Sequence, residues 1–440
     1  MRRLLLVLVS FAAVAGACSL PLTEAQQRAD ETTSTTDGAS PSTPPTTRPR
    51  PPAPTLPPLG RDDAEALAQL PGRLAVGTGP FVAVVNPDGS NGVLVGGGDG
   101  VIATQPTWST EGALLAWSEV TPNESVITVF DPASGGSLSS PLNGPPAFYL
   151  QWNGSDQMIA YLRNDVGSGA IEAGVVRPGD VPVVYDRGAP HFFSWAPDRD
   201  FWASHVGDDR LAVVSSDEVI DLPEPLGSFS VPRWIDADRF LFADPEGLRI
   251  FDLRGTPGRS FPTAPGTAAF TVDPTGTSAA YLEPAFGEAE GGLRVVDLES
   301  GLVETVTTEA VVSWEWSPDG NRLVWTGLDR ADAANLAKLH VWDRDVGGEI
   351  SATPAYRPSQ LTVRSYLPFF TQYAVSHTSW APDGSAFAFA GSIDGDTGIW
   401  IHAIGENGVG AVDAARVAVG DVAFWSPDEA SAASPEPDPF

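Results

Sequence analysis

Cysteine and lysine are almost absent from this chain of 440 residues: Cys18 is the only cysteine and Lys338 the only lysine. A single cysteine excludes an internal disulfide and a thiolate metal cluster. Histidine is also scarce, with five copies spread over separate parts of the chain. Neither H-E-x-x-H nor G-x-S-x-G occurs, which removes the commonest metalloprotease and esterase signatures. Positive charge is in short supply as well. Against 56 acidic residues stand 25 basic ones, a net charge of -31, so the surface field repels phosphate backbones and nucleic acid is excluded as a partner. What the chain does have is apolar and aromatic content, 42% and 9%, enough to bury a core in one large or two ordinary domains.

The N-terminus reads as an export signal over residues 1–17. Arg2 and Arg3 precede an apolar run from Leu4 to Val14, then small residues lead to Cys18, too short a stretch for a comfortable membrane span. The segment "VAGAC" resembles the lipobox of bacterial lipoproteins, with Ala15 where leucine is commoner. The resemblance implies a lipid-modified Cys18 and a membrane anchor on the extracytoplasmic face, since several acyl chains at ~0.8 kcal/mol per buried CH₂ hold a protein stably. A plain signal peptide with an incidental cysteine is the alternative. Residues 18–70 read as a linker: Glu31 to Gly60 contain nine prolines and no aromatic, valine or isoleucine, so they cannot bury a core and extend as a stalk.

From residue 71 to 428 one pattern recurs. "WSPDG" at Trp316, Pro318, Asp319 and Gly320 returns as "WAPDG" at Trp380, Pro382, Asp383 and Gly384, with looser copies at Trp108, Trp152, Trp195, Trp234, Val272 and Trp425. Copies lie 38 to 45 residues apart, except for one interval of 64 between Trp316 and Trp380. Each unit carries turn signals and alternating apolar residues, the mark of four short strands per repeat. Proline presets φ at the first corner, aspartate accepts backbone N–H groups, and glycine tolerates the positive φ that reverses the chain. The tryptophan ends the incoming strand as an apolar wedge. The motif is therefore structural.

"WSPDG" followed by a strand and then "LRVVDLESG" resembles the repeat of TolB-type β-propellers, seen also in the propellers of prolyl oligopeptidase relatives. The resemblance implies an all-β propeller of four-stranded antiparallel blades. At one end "RLAVGTG", "FVAVVNPDG" and "GVLVGGG" read as strands B, C and D without an A; at the other "DVAFWSPD" is an A with nothing after it. The fragments fit one another, giving eight blades closed by both termini, or seven if a degenerate unit is misread, with residues 429–440 as a tail. Closure removes the free sheet edges.

Two function classes follow. One is a noncatalytic, surface-tethered scaffold that binds a protein, peptide or glycan of the cell envelope; the other is a propeller hydrolase or lyase acting on polysaccharide or peptide. No catalytic residue, metal or cofactor is assigned, and a monomer is expected. Asp394 and Asp396, and Asn86 and Asp88, carry oxygens suited to Ca²⁺, but turn chemistry accounts for them. The long interval is the candidate binding element. Ser351 to His377 hold Tyr356, Tyr366 and Tyr373 with Arg357, Arg364, Phe369 and Phe370, and no acidic residue. Tyrosine and arginine are enriched at interfaces. The expectation is an insert between the last strand of one blade and the first of the next, on the face opposite the "SPDG" corners, with its aromatics anchoring a partner. An extra hairpin packed on its own blade is the alternative. The loops after Leu282 and Leu328 are placed on the same face.

Overall fold

The computed structural model describes residues 56, 59–98, 100–207, 210–222, 230–267, 269–284, 291–329, 336–405 and 411–428. The signal, Cys18, most of the linker and the tail lie outside them, as do the central residues of the loops after Leu282 and Leu328. The described chain forms eight antiparallel sheets of four strands each, an eight-bladed propeller. Within each blade strands A to D succeed one another from the channel outward.

Seven of the eight expected copies end a strand A, and the eighth, at Trp380, makes an isolated bridge to Phe387. These strands are Ile102–Trp108, Ala147–Trp152, His191–Trp195, Arg233–Trp234, Phe270–Val272 and Val311–Trp316 in blades 2 to 7, and Val422–Trp425 in blade 1. Blade 1 is composite: Leu74–Gly77, Val82–Val85 and Val93–Gly96 supply B, C and D, and Leu74 pairs with Trp425 and Gly77 with Val422. The ring closes through both ends of the described chain, as the fragments in the sequence require.

The corner residues sit as their chemistry dictates. Gly320 has φ +71°, its N–H donates to the Ser317 carbonyl at 2.9 Å, and Asp319 Oδ1 accepts from the Asn321 N–H at 3.0 Å. The second copy repeats this at Asp383 and Gly384.

The tryptophans do more than wedge. Trp152 Nε1 donates to the Thr107 carbonyl at 3.3 Å, Trp195 to Gln151 at 3.3 Å, and Trp234 to Ser194 at 2.8 Å. Trp380 reaches Glu315 at 3.4 Å and Trp108 reaches Phe424 at 3.2 Å. In each case the acceptor precedes the tryptophan of the previous blade. The indole thus staples blade to blade by adding a second bond to a carbonyl that also faces strand B of its own sheet. Trp316 makes no such bond; Trp314 instead donates to Thr271 Oγ1 at 2.8 Å.

The propeller reaches further back than residue 71. A helix over Arg61–Leu67, inside the stretch expected to be linker, packs its fully buried Leu67 with Leu74, Val76 and Trp425. Trp425 Nε1 donates to the Pro71 carbonyl at 2.7 Å, and Gly72, at φ +78°, lies so close that a Cβ there would fall 2.8 Å from the indole nitrogen.

Candidate functional site in the central channel

Blade 8 departs from the others. Its strand A begins with Arg357–Pro358, which pair with Ser392 and Gly391, and the Ser359 N–H donates to the Ala390 carbonyl. The chain then leaves the sheet. It returns at Ser379, whose carbonyl accepts from Ala388, and Trp380 bridges to Phe387. Residues 359–379 are therefore an excursion from the middle of an innermost strand. This corrects the expectation of an insert between blades: Ser351 and Ala352 belong to strand D of blade 7, and Arg357 to strand A of blade 8.

The excursion coils as a turn of π-helix (Thr362–Tyr366), a turn of 3₁₀-helix (Leu367–Phe369) and a turn of α-helix (Phe370–Tyr373). Ser359 Oγ accepts from the Thr362 N–H at 3.0 Å, capping its start. Because strand A is the edge of each sheet that looks into the channel, its free backbone groups need partners there. The excursion supplies them. Gln372 Oε1 accepts from the Phe193 N–H at 3.0 Å while Gln372 Nε2 donates to the Phe193 carbonyl at 2.6 Å, so one side chain imitates a neighbouring strand. Tyr373 OH, with one proton to give, lies 3.1 Å from Gln105 Oε1 and 3.3 Å from the Phe148 carbonyl and donates to one or shares between them. Tyr149 OH donates to the Gln372 carbonyl, Thr107 Oγ1 to the Ser376 carbonyl and Arg233 to the Thr371 carbonyl. Phe370 meets Trp314 edge-on at 4.6 Å, Phe369 lies 6.4 Å from Phe192, and Tyr366 packs on Phe424. Strands A of blades 1, 2, 3, 4, 5 and 7 are all touched. The segment is a plug.

The expected contact residues divide accordingly. Tyr356, Tyr366 and Tyr373 are buried, and Phe369 and Phe370 are half-buried against strands A of blades 4 and 7. The tyrosines are not surface anchors: Tyr366 and Tyr373 bury their rings in the channel, and Tyr356 packs on Phe389 in the core between blades 7 and 8. Arg357 and Arg364 are exposed. They sit with exposed Val363 at the mouth where strands A begin, beside Asp421, whose carbonyl accepts from Ser359 and Thr362.

At the opposite, corner-side mouth the plug ends short. A cavity of about 190 Å³ remains between Ala374–Thr378 and the walls Trp108, Gln151, Trp152, Phe424 and Trp425. His377 borders it, enclosed by the rings of Tyr149, Tyr366, Tyr373 and Phe424. Burial pushes its imidazole down to about 3, so the ring is neutral. Its Nδ1 lies 2.6 Å from Ser376 Oγ and its Nε2 has no partner. Glu315 fastens this end, accepting from Thr378 Oγ1 at 2.7 Å, the Ser379 N–H at 2.8 Å and Ser379 Oγ at 2.6 Å. Burial raises its carboxyl above the ordinary range despite those bonds.

A second Ser–His pair, Ser351 Oγ to His402 Nε2 at 2.8 Å, joins strand D of blade 7 to strand C of blade 8, and His402 Nδ1 lies 2.6 Å from the Asp413 carbonyl. It ties two blades together. Among the described residues no three of His, Cys, Asp or Glu converge on a common point. Asp88 Oδ1 accepts from the Ser90 N–H at 2.9 Å, and Asp396 pairs with Arg416 at 3.2 Å, as turn and surface chemistry require.

Sequence reasoning did not single out Gln372, Arg233, Glu315 or Tyr149. A signal was present for two of them. The position before the corner tryptophan is polar in six of the seven cases, Thr107, Gln151, Ser194, Arg233, Glu315 and Ser379, with Phe424 the exception.

No family model matches the sequence, and no curated protein matches it. Solved structures do. The dihydro-heme d1 dehydrogenase NirN, in complex with DHE, superposes with a TM-score of 0.53 at 12% identity, over 86% of this chain and 79% of that one. A eukaryotic initiation factor gives 0.50 at 12% identity over 81% and 99%. TolB from Acinetobacter baumannii gives 0.37 at 15% identity, over 63% of this chain and 62% of its own length. At such identities the likeness shows the β-propeller fold and nothing finer.

Proposed function

We propose that this chain is an exported, lipid-anchored propeller that works without catalysis, holding a protein, peptide or glycan partner of the cell envelope. The observation that carries the reading is the plug. A hydrolase or lyase built on a propeller channel needs that channel for substrate, whereas here residues 359–379 occupy all but its corner-side mouth and touch strands A of six blades. Recognition then falls to the outer surface. Arg357 and Arg364, exposed at the plugged mouth of a protein of net charge -31, offer a local positive spot for acidic groups of the partner. The export signal and Cys18 support the anchored location.

The test is a paired capture. A photo-crosslinker at exposed Val363 should trap a partner in native membranes, and the double substitution Arg357→Glu and Arg364→Glu should lose it with unfolding unchanged. Undiminished capture by the double variant, at the same crosslinking site, would remove the plugged mouth as the docking face.

A further inference from the structure

Buried carboxylates among the described residues meet arginines, apart from Glu315, which neutral donors hold, and one buried cation has no counter-charge. Asp244 meets Arg249 at 2.9 Å, Asp273 meets Arg344 at 3.3 Å, and Glu172 is held by Arg163 at 2.7 Å and Arg187 at 2.8 Å. Arg233 is 4% exposed, the one buried arginine among the described residues, and no carboxylate of those residues lies within ion-pair distance of it. It stands on the short strand A of blade 5 and points to the plug, where a terminal nitrogen donates to the Thr371 carbonyl. Its Nε is buried without an acceptor.

Such a group is costly. An isolated buried charge without a counter-charge is disfavoured by several kcal/mol, and most side chains escape by neutralising themselves. Arginine does not. Burial lowers Arg233 only to about 10, well above neutral pH, so it stays a cation. In a chain with 56 acidic residues the missing partner is not for want of carboxylates. A neutral carbonyl and one uncapped N–H leave part of a planar donor fork unfilled, which is the shape that small anions satisfy.

We propose that Arg233 is the seat of a small monovalent anion, a halide or the carboxylate of a small organic acid, held in the channel between strand A of blade 5 and the plug at Thr371. The anion completes the charge pair and, by bridging wall and plug, adds to the hold on the plug. The seat is separate from the partner-docking mouth, so the two stand or fall independently.

The test uses the full chain. At constant ionic strength, with gluconate exchanged for chloride, formate or acetate, the unfolding midpoint should rise and saturate, since a ligand bound only by the folded state stabilises it. Arg233→Met should show no saturable rise, and Arg233→Lys should keep a weaker one. In crystals grown without halide and soaked in bromide, an anomalous peak should stand beside the Arg233 guanidinium, and added acetate should displace it if carboxylates share the seat; failure to displace it limits the seat to halides. If Arg233→Met does not fold, the bromide experiment on the unaltered chain decides. No saturable midpoint shift and no bromide at the guanidinium, or an Arg233→Met response equal to that of the unaltered chain, overturns the proposal.

Discussion

At the scale of single residues, the corner tryptophans act through both ring area and one N–H. Trp152→Phe keeps most of the ring and removes only the second bond to the Thr107 carbonyl, which still faces Ala116, so it should cost about 1 kcal/mol or less, whereas Trp152→Ala should cost about 3–5 kcal/mol; chemical unfolding of the two variants separates the terms. His377 gives a pH dependence of definite sign. Its folded value near 3 lies below the ordinary 6.5, so between these limits the unfolded chain binds the extra proton. The stability it contributes is complete above about pH 6.5 and is lost as pH falls toward 3, by up to about 1.4 kcal/mol per unit. His191, lowered by burial to about 4, adds the same sign, and Glu315, raised by burial, adds the opposite one as pH climbs past the carboxylate range. Subtracting the profile of His377→Asn from that of the unaltered chain cancels both and should leave a positive slope against pH; a flat difference would mean that the imidazole is hydrated. The proline, aspartate and glycine of each corner were legible because turn chemistry is local. The pairing of Arg233 with Thr371 was not, since it joins residues 138 apart in sequence.

At the scale of elements, the extra length between Trp316 and Trp380 announced an insertion, but its place within a strand was hidden. Pro358 and Trp380 look like parts of separate segments, and only the pairing of both with the single strand Ala386–Ile393 shows that they belong to one. The plug's tyrosine-rich composition suits an interface in sequence. It does become one, but with its own channel wall. Gln372→Ala should leave the Phe193 N–H and carbonyl without partners and cost about 1–3 kcal/mol for each group that water cannot reach. Hydrogen exchange at Phe193 should accelerate in that variant while the amide of Val213, deep in blade 4, keeps its protection.

At the scale of the whole molecule, eight blades and their closure were readable because the repeat period and the two incomplete ends are global properties of the chain. A chain stopped at Gly420 loses strand A of blade 1 and also the Thr378 carbonyl's bond to Trp425. It should melt without cooperativity or aggregate through the exposed edge of Leu74–Gly77, as calorimetry and light scattering would show. Cys18→Ser should shift the protein from the membrane to the soluble fraction; equal membrane retention would mean that the anchor lies elsewhere. The register of the closing pair also sets how the ring bears load. Leu74, the first residue of its strand, faces Trp425, the last of its own, so both ends of the chain leave from one end of the pair. Tension between them peels the ladder open one hydrogen bond at a time, the weakest way to stress two strands. The helix Arg61–Leu67, its Leu67 sunk against the same seam, and the Pro71 carbonyl bound to Trp425 must yield before tension arriving from the N-terminal side reaches the first rung.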